Sequence, residues 1–231
     1  MSYNGLPFVA NYPDAIVVPA HPSNLMRDRV TGAIKPINRP RALVIHTPEE
    51  PSDDFESTPR YFATANRNAS THYYADSDGD IYQMVPEDYG AVANGLRGKP
   101  APAWSDGTSL NYQTLSIEVE GYAAAMHRTC PPGSRQWNSV RTWIVSRALI
   151  YRISIRRERV IGHYEVADNH TDPGTLKLDR LVADAAQVAG QLIAAVREAQ
   201  AHEAIREALT KAWDEGDWRM MHAQLHYIGV P

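Results

Sequence analysis

A single cysteine, Cys130, among 231 residues rules out an intrachain disulfide, so stability must come from the core, with or without help from a metal. No apolar run approaches the roughly 18 residues that span a bilayer, which argues against membrane insertion. The opening Met1-Ser2-Tyr3-Asn4-Gly5-Leu6-Pro7 lacks the basic start and apolar core of a secretory signal; it predicts a chain made in the cytoplasm. A basic excess is also missing. Lys and Arg number 23 against 27 Asp and Glu, a net charge of −4, so the broad positive footprint of a nucleic-acid binder is excluded. So is any general attraction to anionic membranes or wall polymers. Whatever the chain binds must be held by a local site. What is present is ordinary globular material: 43% hydrophobic and 22% charged residues argue against disorder, and the length suits one domain plus an appendage.

Residues 1–40 are proline-rich and polar, with Ala15 to Val18 as one short strand in an arm packed on the domain. Ala42-Leu43-Val44-Ile45, bounded by Pro40 and Pro48, has the continuous apolar character of a fully buried strand. Thr58 to Asn68 reads as a helix with Thr58 as cap and Pro59 at its first position. Tyr73-Tyr74-Ala75 and Ile81 to Val85 flank Asp78-Gly79, a strong hairpin signal. Leu115 to Glu120 alternates apolar and polar as a half-buried strand should. Gln136 to Ser154 places Val140, Trp143, Ile144, Leu149 and Ile150 on a core-facing helix. Arg159 to Gly162 is a short strand ending at His163. Leu178 to about Gln200 is helical, and a second helical stretch through Ile205, Leu209 and Trp213 is broken by Gly216. The expected fold is α/β: a central mixed β-sheet flanked by helices, a ligand groove at its strand ends, an N-terminal arm (1–40), a catalytic domain (41–195) and a helical C-terminal tail (196–231). The tail pattern suits packing on the parent domain, an assembly or wall-holding module, or self-association. Oligomeric state is not legible.

Three potential metal ligands stand near strand ends: His46, His163 and, nine residues later, Asp172. Two imidazoles and one carboxylate suit a catalytic zinc, because three protein ligands leave a fourth position open and zinc brings the pKa of water there to about 7. Nine histidines offer some such triple by chance, so spacing alone leaves the set open.

The segments around these residues resemble, in order and spacing, the type-2 family of zinc N-acetylmuramoyl-L-alanine amidases. That family includes phage amidase lysins, cell-wall recycling amidases and peptidoglycan recognition proteins. The segments are Val44-Ile45-His46-Thr47; Thr71-His72-Tyr73-Tyr74 with the Asp78-Gly79 hairpin; Asn111 with Leu115 to Gly121; Ile161-Gly162-His163-Tyr164-Glu165-Val166; and Thr171-Asp172-Pro173-Gly174. The resemblance implies Zn2+ held by His46, His163 and Asp172, with Glu118 as the carboxylate that orients or deprotonates the attacking water. Glu120, two residues on and on the same strand face, stays a second choice. His72 matches a position that is not a ligand and is read as structural, and Glu165 as a structural partner near His163. His21, His127, His202, His222 and His226 lie outside the motifs. Cys130 is read as an incidental loop residue.

Three departures from the family pattern bear on chemistry. Thr71 stands where some phage members carry a tyrosine; it could contact substrate but cannot share acid–base work. His170 stands where many members carry a lysine that steadies the negative oxygen of the tetrahedral intermediate, and it predicts a sharper pH dependence. Val92-Ala93-Asn94-Gly95 replaces a substrate-contacting Trp-His-Ala-Gly element, leaving Asn94 as the hydrogen-bonding residue. The resemblance implies a phage endolysin acting on bacterial peptidoglycan. Open alternatives are a cytosolic muropeptide-recycling amidase, a zinc-free peptidoglycan-binding module and a virion-associated wall-opening protein.

Overall fold

The computed structural model describes residues 2–3, 6–8, 10–28, 30–34, 36–37, 39–50 and 57–214. The chain divides into two compact units, Met1–Ala186 and Gln187–Pro231. Two short strands near the start, β1 (Ser2–Tyr3) and β2 (Leu6–Pro7), pair with each other. Six more form one mixed sheet: β3 (Ile16–Val17), β4 (Ala42–His46), β5 (Tyr73–Ala75), β6 (Ile81–Gln83), β7 (Thr114–Val119) and β8 (Val160–Gly162). Their spatial order is β3-β6-β5-β7-β4-β8. Strands β5, β7, β4 and β8 are mutually parallel, and β6 runs antiparallel to β5 through the expected hairpin. Among the described residues, no helix is long and apolar enough to cross a membrane.

Every residue of β4 is buried: parallel neighbours flank it on both sides, and Ala42 and Val44 pack with Trp104, Leu110, Ile161 and Val166. Alternation along β5 sends Tyr73 to one face and Tyr74 to the other. Tyr73 meets Trp143 of α3 (Arg135–Tyr151), ring centroids 5.5 Å apart, while Tyr74 packs with Phe62 of α1 (Ser57–Ala63), Tyr82 and Met84. A third helix, α2 (Met126–Thr129), is one turn long and is capped by the amide of Cys130. Cys130 itself lies in the bend after this helix, and its thiol is buried, its pKa pushed up to about 12 by desolvation.

Helix ends differ from the sequence expectations for local reasons. The α3 helix starts where the Ser134 hydroxyl accepts from the Trp137 amide, 3.1 Å, and ends three residues early, where Arg152 turns left-handed. Leu149 and Ile150, expected in the core, face solvent. The α1 helix starts at Ser57, with Thr58 and Pro59 inside it, and stops at Ala63; beyond it Asn66 and Asn68 adopt positive φ, which asparagine tolerates better than most residues. The last helix, α4 (Leu178–Asp214), is continuous where two stretches were expected. Gly216, Trp218, Met220, Met221, His222 and His226 lie outside the described residues.

The N-terminal segment supplies edge strand β3, parallel to β6. Asn11 anchors it: its amide donates to Gln83 Oε1 (2.6 Å), and its Oδ1 accepts from Gln83 Nε2 (2.7 Å) and the Glu87 amide (3.0 Å). Below it lies a buried ion pair, Arg147 Nη1 to Glu87 Oε1 at 2.8 Å. The Tyr73 and Tyr151 hydroxyls each donate to a Glu87 oxygen at 2.7 Å, and Arg147 also donates to the Asn11 carbonyl.

Candidate metal centre and active-site cavity

Register builds the site. In the parallel ladders His46 pairs with Glu118 on β7, and Ile45 pairs with Gly162 on β8, so the next residue of each strand brings His46 and His163 side by side. After β4 the chain crosses to one side of that strand, and β8 returns on the other. Crevices at the carboxyl ends of parallel strands form at such points. Asp172 reaches the row from the following loop, which is tied back by the Tyr164 amide donating to the Asp172 carbonyl (3.1 Å). Two glycines permit this. A Cβ on Gly162 would stand 2.6 Å from Pro173 Cδ, and Gly174, at φ +56°, lies against the Ala123 carbonyl with no room for a side chain.

One donor atom from each of His46, His163 and Asp172 lies within 4.8 Å of the others, and all three residues are buried. Both rings present Nδ1: Asp172 Oδ2 is 3.1 Å from His46 Nδ1 and 3.2 Å from His163 Nδ1. The far side of His46 fixes its tautomer. Its Nε2 is 2.6 Å from Asn94 Oδ1, while Asn94 Nδ2 donates to Thr114 Oγ1 (2.7 Å), which itself donates to the Leu110 carbonyl. That chain orients the Asn94 amide with its oxygen toward His46, so Nε2 carries the proton and Nδ1 offers a lone pair inward. In that tautomer the Nδ1 lone pair of His46 faces the Asp172 carboxylate, an arrangement that a cation between them relieves. The donor set fits a metal ion.

Glu118 faces the same space. Its Oε2 is buried without a hydrogen-bond partner, and its pKa is pushed well above the usual carboxyl range, first by burial and then by Asp172, Glu50 and Glu49. An unpaired buried carboxyl costs stability and is kept where it has chemical work to do. Glu120 instead accepts from the Ser77 amide. His170 lies at the cavity mouth, with 41% of its side chain exposed, its ring 3.7 Å from that of His163 and its Nδ1 3.2 Å from Asp172 Oδ1. Burial and His163 push its pKa below 6.5. With Nδ1–H donated to Asp172, a neutral His170 presents Nε2 as an acceptor, and only the protonated ring donates from it.

Two residues expected to contact substrate lie elsewhere. Thr71 is fully buried and its hydroxyl donates to Ser116 Oγ at 3.0 Å; Asn94 is fully buried behind His46. Both side chains are consumed by packing and internal hydrogen bonds. His72 is structural in its contacts: Nδ1 accepts from the Ser116 amide (3.1 Å) and Nε2 donates to the Tyr89 carbonyl (3.0 Å), with its pKa lowered to about 4 by burial. Glu165 accepts from the Gly162 amide and pairs with Arg157 at 2.6 Å. The cavity over the centre measures about 870 Å3, and Glu49, Tyr61, Leu96 and Arg97 help line it. Glu49 and Glu50 escaped sequence reasoning. Their signal was two carboxylates three and four positions after a strand-end histidine.

A ligand set open on one side, with a carboxyl beside it to handle protons, suits metal-assisted hydrolysis on an α/β scaffold. The chain belongs to the N-acetylmuramoyl-L-alanine amidase family, whose model matches residues 36–175. As a member it is an amidase, a hydrolase of amide bonds. Among solved structures, a mutant endolysin from Bacillus subtilis shares the fold with a TM-score of 0.54, at 16% identity over 74% of this chain and 97% of that one. Staphylococcus aureus AmiA gives 0.52, at 16% identity over 71% and 86%. Escherichia coli AmiD, solved with anhydro-N-acetylmuramic acid-L-Ala-D-gamma-Glu-L-Lys, gives 0.51, at 25% identity over 69% and 61%. The chain matches no curated protein sequence.

Proposed function

We propose that the chain is a zinc-dependent enzyme that hydrolyses the amide between N-acetylmuramic acid and L-alanine in bacterial peptidoglycan, as a phage endolysin acting on the wall after release from the cytoplasm. The observation that carries this reading is the meeting of His46, His163 and Asp172 beside the unpartnered Glu118. Atoms about 2.0–2.1 Å from a tetrahedral zinc lie about 3.3 Å from one another. The separations of 3.1 and 3.2 Å from Asp172 Oδ2 match that spacing. Bound there, zinc supplies Lewis acidity to the substrate carbonyl and to a water molecule.

The chain's own residues do the rest. Glu118 takes the proton of the attacking water at Oε2 and returns it to the leaving amine; burial and the neighbouring carboxylates raise its proton affinity above that of an ordinary carboxylate. When its ring is protonated, which its lowered pKa confines to acid pH, His170 donates from Nε2 to the oxygen that gains negative charge, while its Nδ1 holds Asp172; this contribution is lost as pH rises. Asn94 keeps Nδ1 of His46 available. The endolysin role is supported by likeness to a lysin over nearly all of that protein's length. Metal analysis together with mass spectrometry of digested peptidoglycan tests the proposal. About one zinc per chain and new L-alanine amino termini are expected. New reducing sugar ends without such termini, or full activity after chelation, would overturn it.

A further inference from the structure

At the opposite ends of the same strands lies a second cavity, of about 730 Å3, walled by Arg39, Arg41, Arg152, Arg159, Trp104 and the end of α3 at Tyr151. Strand pairing gathers them. Arg41 immediately precedes β4, Arg159 immediately precedes β8, and the Leu43 amide donates to the Arg159 carbonyl at 2.8 Å. Arg159 Nη1 donates to the Arg41 carbonyl (3.1 Å), and its guanidinium lies 5.9 Å from the Trp104 ring centroid. Arg39 donates through Nε and Nη2 to the Tyr151 carbonyl, 3.2 and 2.9 Å, closing the end of α3. Arg41 donates to the Trp104 carbonyl and pairs with Asp106 at 3.1 Å.

Among the described residues, Asp106 is the one carboxylate paired with any of the four. Four guanidiniums against one carboxylate leave a surplus of three positive charges, on a chain whose net charge is −4. Capping a carbonyl occupies one or two of the five N–H groups of an arginine. It therefore explains neither the remaining donors nor why four arginines share one cavity. Arg152 has no side-chain partner among the described residues.

We propose that this cavity binds a phosphate group. Guanidinium forks match phosphate oxygens two at a time, and a multiply charged anion neutralises the surplus where a single carboxylate leaves most of it. The phosphate comes either from a free small molecule or from a phosphodiester-linked polymer of the wall. A polymer held there touches the enzyme roughly 17 Å from the metal centre, the length of the five-residue β4. Phosphate binding as such stands apart from the amidase reading, whereas its assignment to a wall polymer rests on that reading.

The test is calorimetric titration of the full zinc-loaded chain with inorganic phosphate and with poly(glycerol phosphate) at low salt, with Trp fluorescence as a second readout. Saturable binding is expected, weakened about tenfold or more in Arg159→Gln and in Arg152→Glu. Arg152→Glu is the safer variant, since its guanidinium holds no part of the fold. Turnover of a soluble muropeptide stays unchanged in both. Tighter binding of the polymer assigns the phosphate to the wall, and tighter binding of inorganic phosphate assigns it to a free metabolite. The proposal falls if neither binds, if binding survives Arg152→Glu but is lost in Asp172→Ala, or if single-stranded DNA binds as tightly as the polymer.

Discussion

Two glutamates, Glu87 buried in the turn after β6 and Glu118 half-buried on β7, have opposite surroundings. Glu87 is saturated: Arg147 donates to both of its oxygens, and Tyr73 and Tyr151 give it a hydroxyl each. Glu118 has an orphaned oxygen, acidic neighbours and a pKa driven upward. The first arrangement satisfies a charge so that the fold holds; the second leaves a proton site unsatisfied so that chemistry can use it. Partner count separates the two.

The sharpest break of the comparison is Glu118→Gln. It should lower amidase turnover by about 10²–10⁴-fold, the contribution of a positioned acid–base group. The fold should not suffer. In the metal-free protein the raised pKa means that the folded state holds the Glu118 proton after the unfolded chain has lost it. Stability is therefore lost as pH rises above 4.5, and the variant should melt no lower than the parent at pH 8. An unchanged rate would remove Glu118 from the mechanism.

Glu87→Leu should do the reverse. It strands a buried guanidinium and two hydroxyls, at a cost of about 3–5 kcal/mol in urea unfolding. Turnover per folded molecule should stay near that of the parent. A loss under 1 kcal/mol would show that the clamp is not structural.

His72 belongs with Glu87, saturated and held neutral, and sharpens the comparison through pH. Its pKa is about 4 when folded against 6.5 in the free side chain, so the unfolded chain takes up the proton first. Stability should be full above pH 6.5 and fall as pH drops toward 4, by roughly 3 kcal/mol over that window. Urea melts of metal-free protein should show this slope, and His72→Gln should flatten it.

The smallest effect is expected at Asn94, saturated itself yet serving the unsaturated centre. Asn94→Ala frees the His46 tautomer and should weaken metal affinity about 10–100-fold in a chelator competition. Asn94→Asp, which still accepts from Nε2, should recover much of the loss. If both variants bind metal like the parent, Asn94 is only packing.

Much of the fold was legible because its signals are local. The Ala42–Ile45 run, the Asp78-Gly79 hairpin and the Arg135–Tyr151 helix each declare themselves within a few residues. Helix ends were less so: a left-handed Arg152 ended α3 before the expected Ser154, and α1 ended at Ala63, short of the expected Asn68. At the site, ligand candidates could be named from residue type and motif, whereas Thr71 and Asn94 carried hydrogen-bonding groups whose partners no sequence displays. Glu118 and Glu120 looked equivalent by alternation until Ser77 was found on one of them.

The sequence by itself determined the alternation, the strand order along the chain and the residue types able to hold a metal. Only the tertiary structure decided which of them meet. Register between parallel strands set His46 beside Glu118 and one step from His163, and the hydrogen bond that Asn94 Nδ2 donates to Thr114 turned the Asn94 oxygen toward the ligand instead of the substrate. The physical reason is that a side chain's role depends on which partners reach it through space, and the partners of Asp172 lie from 2 to 126 residues away along the chain.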